Sequence, residues 1–225
     1  MTDTAIKPAT ISHWINGTST LGTSGQTAKV YNPATGQVQA LVDLASVEEI
    51  NAAVEQASAA AKTWRLVPLS KRAEIMFRFR ALLDAGRDDL ARILTREHGK
   101  VHGDALGEIA RGIENVDFAC GIPNLLKGGY SEGVSTGVDV YSIQQPLGVV
   151  AGITPFNFPA MVPLWMIANA LACGNAFILK PSEKDPSASL FMADLLKQAG
   201  VPDGVFTVIH GDKVAVDAIL EHPDI

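Results

Sequence analysis

The sequence predicts an α/β protein: a parallel sheet with flanking helices, preceded by a helical segment and interrupted by a β-hairpin arm. Three observations predict it. From Gly148 onward, apolar strand-like runs alternate three times with helix-like runs, the order that builds a parallel sheet through right-handed crossovers. Between Ser46 and Ala119, apolar residues recur at helical spacing. Between Lys127 and Gln145, four glycines (Gly128, Gly129, Gly133 and Gly137) punctuate a stretch that runs into the alternating Val138-Asp139-Val140-Tyr141-Ser142-Ile143, a strand signal.

Residues 11–45 read as short strands and turns, with turn residues at Asn16-Gly17 and Asn32-Pro33 and a strand over Val38–Val42. Ser46 and Glu49 form an S-x-x-E capping box that opens a helix, because each side chain satisfies a free amide of the other. Val47, Ile50, Val54, Ala57, Ala61 and Trp64 follow on one face, and Pro68 ends the run. A second helix carries Ala73, Met76, Phe77, Arg80 and Leu83, and a third runs from about Arg87 to His98, stopping at Gly99. A fourth spans about Asp104 to Ala119, with Leu106, Ile109, Ile113 and Val116 on its buried side.

The arm at 127–145 has too little apolar mass for a core of its own and needs a partner surface. Beyond it, strands are expected near Val149–Thr154, Ala176–Leu179 and Val205–Ile209, and helices near Ala160–Cys173, Pro186–Ala199 and Asp212–Leu220. Asp185-Pro186 reads as a cap followed by a first-turn proline, and Gly200 as a stop. An unpaired sheet edge is expected beside the last strand.

The chain has 225 residues, 47% of them hydrophobic, and a net charge of −6. No Lys/Arg cluster stands out to meet a phosphate backbone, so nucleic-acid binding is disfavoured. No apolar run is long enough to span a bilayer. Residues 1–10 are polar and lack a signal core, and two cysteines make no disulfide framework. The expectation is a cytoplasmic protein.

Two strand ends carry the candidate chemistry. Gly148-Val149-Val150-Ala151-Gly152-Ile153-Thr154-Pro155-Phe156-Asn157-Phe158-Pro159 presents an amide, and Phe177-Ile178-Leu179-Lys180-Pro181-Ser182-Glu183-Lys184 presents cations and a carboxylate. In an α/β sheet, ligands sit outside the carboxyl ends of the strands. No G-x-G-x-x-G and no P-loop occurs. Taken alone, Asn157 reads first as a loop-capping residue between prolines, and Lys180-Pro181-Ser182-Glu183 first as a solvated loop. Thr154 and Phe156 read equally as strand-exit packing.

At these motifs the chain resembles the N-terminal half of NAD-dependent aldehyde dehydrogenases, in particular the CoA-acylating, methylmalonate-semialdehyde branch. The similar text also includes Thr95-Arg96-Glu97-His98-Gly99-Lys100, Gly107-Glu108-Ile109-Ala110-Arg111-Gly112, Gln145-Pro146-Leu147-Gly148 and Pro202-Asp203-Gly204-Val205-Phe206. Phe156 before Asn157 favours the acylating branch. The resemblance implies a Rossmann-like NAD-binding part at 148–225, a β-hairpin oligomerisation arm at 127–147 and an N-terminal helical part of the cofactor domain at 1–126. It implies a subunit more than twice this length, whose pyrophosphate loop and catalytic cysteine would follow Ile225.

On that resemblance Asn157 is the oxyanion donor, and Thr154 and Phe156 line the cleft near the nicotinamide ribose. Lys180, Glu183 and Lys184 hold the adenosine ribose, and Glu183 favours NAD over NADP by repelling a 2′-phosphate. Arg111 meets the substrate carboxylate, a guanidinium matching both oxygens in one plane; a local pair with Glu108 or Glu114 is the competing reading. Oxidation of malonate or methylmalonate semialdehyde, with loss of CO2, to acetyl-CoA or propionyl-CoA is implied, with CoA as co-substrate and a homo-oligomer as the working form. The alternatives are a non-catalytic NAD-binding or interaction module and a hydrolytic aldehyde dehydrogenase. Cys120 and Cys173 read as core residues rather than nucleophiles. His98 and His102 are four apart, but Gly99 interrupts them and no third ligand is evident, so no metal is expected.

Overall fold

The structure, a computed structural model, describes residues 8–225. The reading of residues 1–7 as free of a signal core lies outside the described residues.

The chain begins with β1 (Ala9–Ile11), β2 (His13–Ile15) and β3 (Thr18–Thr20), then β4 (Gln26–Tyr31) and β5 (Val38–Leu44). β2 and β3 form a hairpin across Asn16 and Gly17, both at positive φ (51° and 73°), the twist a two-residue hairpin turn requires. β1, β5 and β4 make a small separate sheet.

Helix α1 (Val47–Trp64) opens with the expected capping box of Ser46 and Glu49. α2 (Leu69–His98) is a single helix of 30 residues, which corrects the expectation of two helices meeting near Arg87. Gly86 sits inside α2 because a neighbouring helix needs the space: a Cβ there would come within 3.1 Å of the Phe191 ring. Gly99, at φ 88°, ends α2 as expected.

α3 (His102–Cys120) buries Ile109, Ile113 and Val116 as expected, but Leu106 is only half-buried and Ala105 takes the core position. The short α4 (Ile122–Leu125) leads to the hairpin of β6 (Tyr130–Ser135) and β7 (Val138–Tyr141), every strand residue of which is exposed.

Then come β8 (Val149–Ile153), α5 (Met161–Ala172), β9 (Ala176–Lys180), α6 (Ser187–Ala199), β10 (Phe206–Val208) and α7 (Lys213–Glu221). β8, β9 and β10 are parallel, as the alternation predicts. The main core packs α2, α3, α5 and α6 on one side of this sheet, and a second cluster joins α1 and α7 on the other.

Two further expectations are corrected. β10 is not an open edge: β2 pairs with it antiparallel, giving the order β3-β2-β10-β9-β8. The first hairpin covers that side, and β8 is the outer strand at the other. Asp185 is not the cap of α6. The cap position is Pro186, and the Ser187 N–H that needs an acceptor finds Glu97 at 3.0 Å. Among the described residues, no helix is long and apolar enough to cross a membrane.

Candidate active site

The loops after β8 and β9 leave the same end of the sheet. Ile153 is in register with Lys180, and the Thr154 N–H bonds the Lys180 carbonyl at 3.1 Å. Parallel pairing therefore forces the Asn157 loop and the Lys180 loop to be neighbours. They touch further out, where the Lys184 ammonium lies 4.8 Å from the centre of the Phe156 ring.

Asn157 is exposed, and its carboxamide makes no hydrogen bond among the described residues. Its backbone carbonyl accepts from Lys100 Nζ at 3.0 Å. Phe156 stacks on His98 at 6.0 Å. Beside them opens a cleft of about 430 Å³ lined by Asn157, Phe158, Arg111, Asp104, Lys100 and His98 among others. The size is that of a small-molecule site.

Arg111 reaches this cleft from α3. The competing reading, an ion pair with Glu108 or Glu114, is not what the structure holds. Glu108 is fully buried and pairs with Lys100, and Arg111 enters no ion pair among the described residues. Residues three apart on a helix are neighbours, so spacing alone does not part them. Glu108 is taken up by Lys100 and by the Ala160 and Met161 amides, which leaves exposed Arg111 without it.

At the second corner, Lys180 is only 5% exposed. Its ammonium bonds Glu183 at 3.3 Å. A donor and an acceptor thus stand side by side at a strand end, with Glu183 partly open to solvent. That pair fits a ribose diol, one hydroxyl accepting and one donating. The Thr154 hydroxyl adds an orphan: it is buried at the neighbouring strand end without a hydrogen-bond partner. Both features fit a nucleoside ligand.

Beneath these loops lie charges that the sequence reading passed over. Asp185 is 2% exposed, and neither carboxylate oxygen has a hydrogen-bond partner. Burial, reinforced by the Glu97 carboxylate, pushes its pKa up to about 7. Glu97 is also raised by burial, although Ser187 donates to it through both its hydroxyl and its N–H. Lys100 and Glu108 were missed in the same way. Their partners on the Asn157 loop lie 52 to 57 residues away in the sequence, so no local pattern reports them.

Cys120 is buried in the main core, and Cys173 packs half-buried against it. Burial pushes both thiols up, which weakens a nucleophile. Neither lines the cleft. His98 and His102 point to different partners: His98 to Phe156, and His102 to Asp88 at 2.8 Å.

Comparison with known proteins follows the same geometry. The sequence profile described as "Aldehyde dehydrogenase family" matches residues 20–225. A malonate-semialdehyde dehydrogenase of Pseudomonas aeruginosa is 50% identical over 216 residues, covering 96% of this chain and 43% of that protein. The mitochondrial, acylating methylmalonate-semialdehyde dehydrogenase of Arabidopsis thaliana is 47% identical over 218 residues, covering 97% of this chain and 36% of that protein. A solved structure from Sinorhizobium meliloti 1021, described as a putative methylmalonate-semialdehyde dehydrogenase and complexed with NAD, superposes with a TM-score of 0.95 at 51% identity. It is covered to 45%, and this chain to 97%. The chain thus spans less than half the length of each of these relatives.

Proposed function

The chain belongs to the aldehyde dehydrogenase family, and on that premise we propose that it supplies the NAD-binding corner and the oxyanion donor for oxidation of malonate or methylmalonate semialdehyde in a CoA-acylating reaction. One observation carries the reading: an unbonded carboxamide, Asn157, and a guanidinium outside any ion pair among the described residues, Arg111, line one cleft. A semialdehyde that carries a carboxylate needs both.

Arg111 binds the carboxylate through two parallel N–H bonds and so orients the aldehyde carbon. Asn157 donates its side-chain N–H to the oxygen that becomes negative when a nucleophile adds to that carbon. The donor is effective because it is already free and already placed. NAD held at this corner would supply the acceptor for the hydride that leaves the same carbon. Lys180 and Glu183 hold its adenosine ribose, one donating and one accepting, and the Glu183 carboxylate disfavours a 2′-phosphate there. Thr154 and Phe156 line the passage between the two corners, and Lys184 flanks it over the Phe156 ring. CoA is the acyl acceptor in this reading, supported by the acylating relative.

Residues 127–147 serve as an oligomerisation arm. Tyr130, Val134, Val138, Val140 and Tyr141 are all exposed on its two strands, and an apolar ribbon of this kind is stabilised by a partner surface. A second reading, a non-catalytic NAD-binding module, is favoured by the placement of both cysteines away from the cleft.

The test is calorimetric titration of the chain with NAD and NADP, followed by assay with malonate semialdehyde and CoA. Binding of NAD at least tenfold tighter than NADP is expected. No binding of NAD in the millimolar range removes the cofactor assignment. Turnover above background removes the module reading, and turnover without CoA favours the hydrolytic form.

A further inference from the structure

Glu108 is a fully buried charge with no place in the mechanism so far. Its Oε1 accepts the N–H groups of Ala160 at 2.9 Å and Met161 at 3.0 Å. Helix α5 has no side-chain cap of its own. The carboxylate therefore supplies acceptors that its first free amides need, and the helix dipole favours an anion at that end. The other oxygen, Oε2, pairs with Lys100. Lys100 in turn donates to the Asn157 carbonyl at 3.0 Å and lies 4.8 Å from the centre of the Phe158 ring.

A carboxylate in this position costs several kcal/mol in lost hydration unless it is paired and hydrogen-bonded. Of the contacts that offset this cost, two are made directly to the segment after Asn157, and the third, Lys100, reaches the same loop through the Asn157 carbonyl. Thr154 is tied to Lys180 at the near end, Asn157 to Lys100 in the middle, and Ala160 and Met161 to Glu108 at the far end. The Asn157 carboxamide, which faces the cleft, is left loose. We infer that the Lys100–Glu108 pair is the positioning device for that carboxamide: it fixes the loop backbone so that the side-chain N–H points into the cleft at rest. Lys100 and Glu108 never touch the reacting atoms. They act through Asn157, and the inference rests on Asn157 being the oxyanion donor. An oxyanion donor misplaced by an ångström loses most of its effect, so a rigid mount has a kinetic consequence.

The test uses Glu108→Gln, Lys100→Met and Lys100→Arg in the 225-residue chain. The Glu108→Gln change keeps an oxygen for Ala160 and Met161 but gives up the charge that holds Lys100. Hydrogen exchange at residues 157–161 should quicken at least tenfold in Glu108→Gln and Lys100→Met. The Asn157 side-chain NH2 resonances should shift and broaden, while exchange in α2 and α6 stays as in the parent. Lys100→Arg should restore most of the order, and the double variant should add nothing to either single change, because the two act as one unit. If Glu108→Gln loosens the whole fold, Lys100→Met decides alone, since it leaves the α5 cap in place. Unchanged Asn157 resonances in Lys100→Met overturn the inference. Where the parent turns over, both variants should lower kcat about tenfold with KM for NAD unchanged, and an unchanged kcat also overturns it. A parent that shows neither turnover nor NAD binding defeats the functional reading, and the resonances still decide whether the pair holds Asn157.

Discussion

Asn157 has its carbonyl engaged and its carboxamide free, which suits the role proposed for it, donation to a charge that develops only during reaction. Asn157→Ala should lower the rate of the acylation step by roughly 2.7–4 kcal/mol, the range found when an oxyanion donor is removed. Single-turnover kinetics reads this directly, and an unchanged rate removes Asn157 from the chemistry. Arg111→Lys should raise KM for the carboxylated semialdehyde about tenfold more than for propanal, because a point charge cannot reproduce the planar two-bond grip. Equal effects on both aldehydes would make Arg111 structural. Asp185 acts on stability instead. Its pKa rises from 3.8 to about 7 on folding, so the folded state holds the proton more tightly. The fold is then least burdened below about pH 4 and loses stability as pH rises to about 7. Asp185→Asn should match the parent near pH 4 and exceed it by about 4 kcal/mol at pH 8. Urea unfolding at both pH values checks this, and a difference that does not vary with pH would refute the burial argument.

At the scale of elements, the exposed hairpin β6–β7 is the one described element pair whose apolar residues find no cover. Val138 and Val140, two apart, project from the same face of their strand. Replacing both with Lys should abolish self-association in light scattering while leaving the unfolding midpoint of the dilute protein nearly unchanged. A persistent oligomer would place the contact elsewhere. The hairpin was legible because alternation and glycine punctuation are local signals, and so were the α1 capping box and the Gly99 stop. The Asn157 and Lys180 corners were legible as neighbours, since parallel pairing of successive strands leaves little choice. Other features were not local. The unbroken course of α2 was not read, because the ring that packs on Gly86, Phe191, comes from a helix far along the chain. Asp185 read as a helix cap and Glu108 as a local partner for Arg111, and the burial of Glu97 and Lys100 was not read, because the groups that bury all four come from other elements. The pairing of β2 with β10 had no signature at all.

Over the whole molecule, the first and last parts of the sheet are joined by a buried pair of histidines. His13 and His210 stack at 5.7 Å, the His210 backbone N–H bonds His13 Nδ1 at 3.1 Å, and the His210 ring reaches the Ser12 carbonyl at 3.1 Å. Burial and the neighbouring His13 hold His210 down at about 3, against 6.5 in the unfolded chain. The stability this ring contributes is complete above about pH 6.5 and is lost as pH falls toward 3. Acid unfolding should therefore begin with release of the β2–β3 hairpin, seen as early hydrogen exchange at Trp14 below about pH 5, and uniform loss across the sheet would contradict it. The same join has a consequence for biosynthesis. Trp14 pairs with Val208, so the opening hairpin leaves the ribosome long before its dock exists. Until most of the chain between them has emerged, it must be shielded or left waiting, so this join forms later than the elements that lie between its two strands in the sequence.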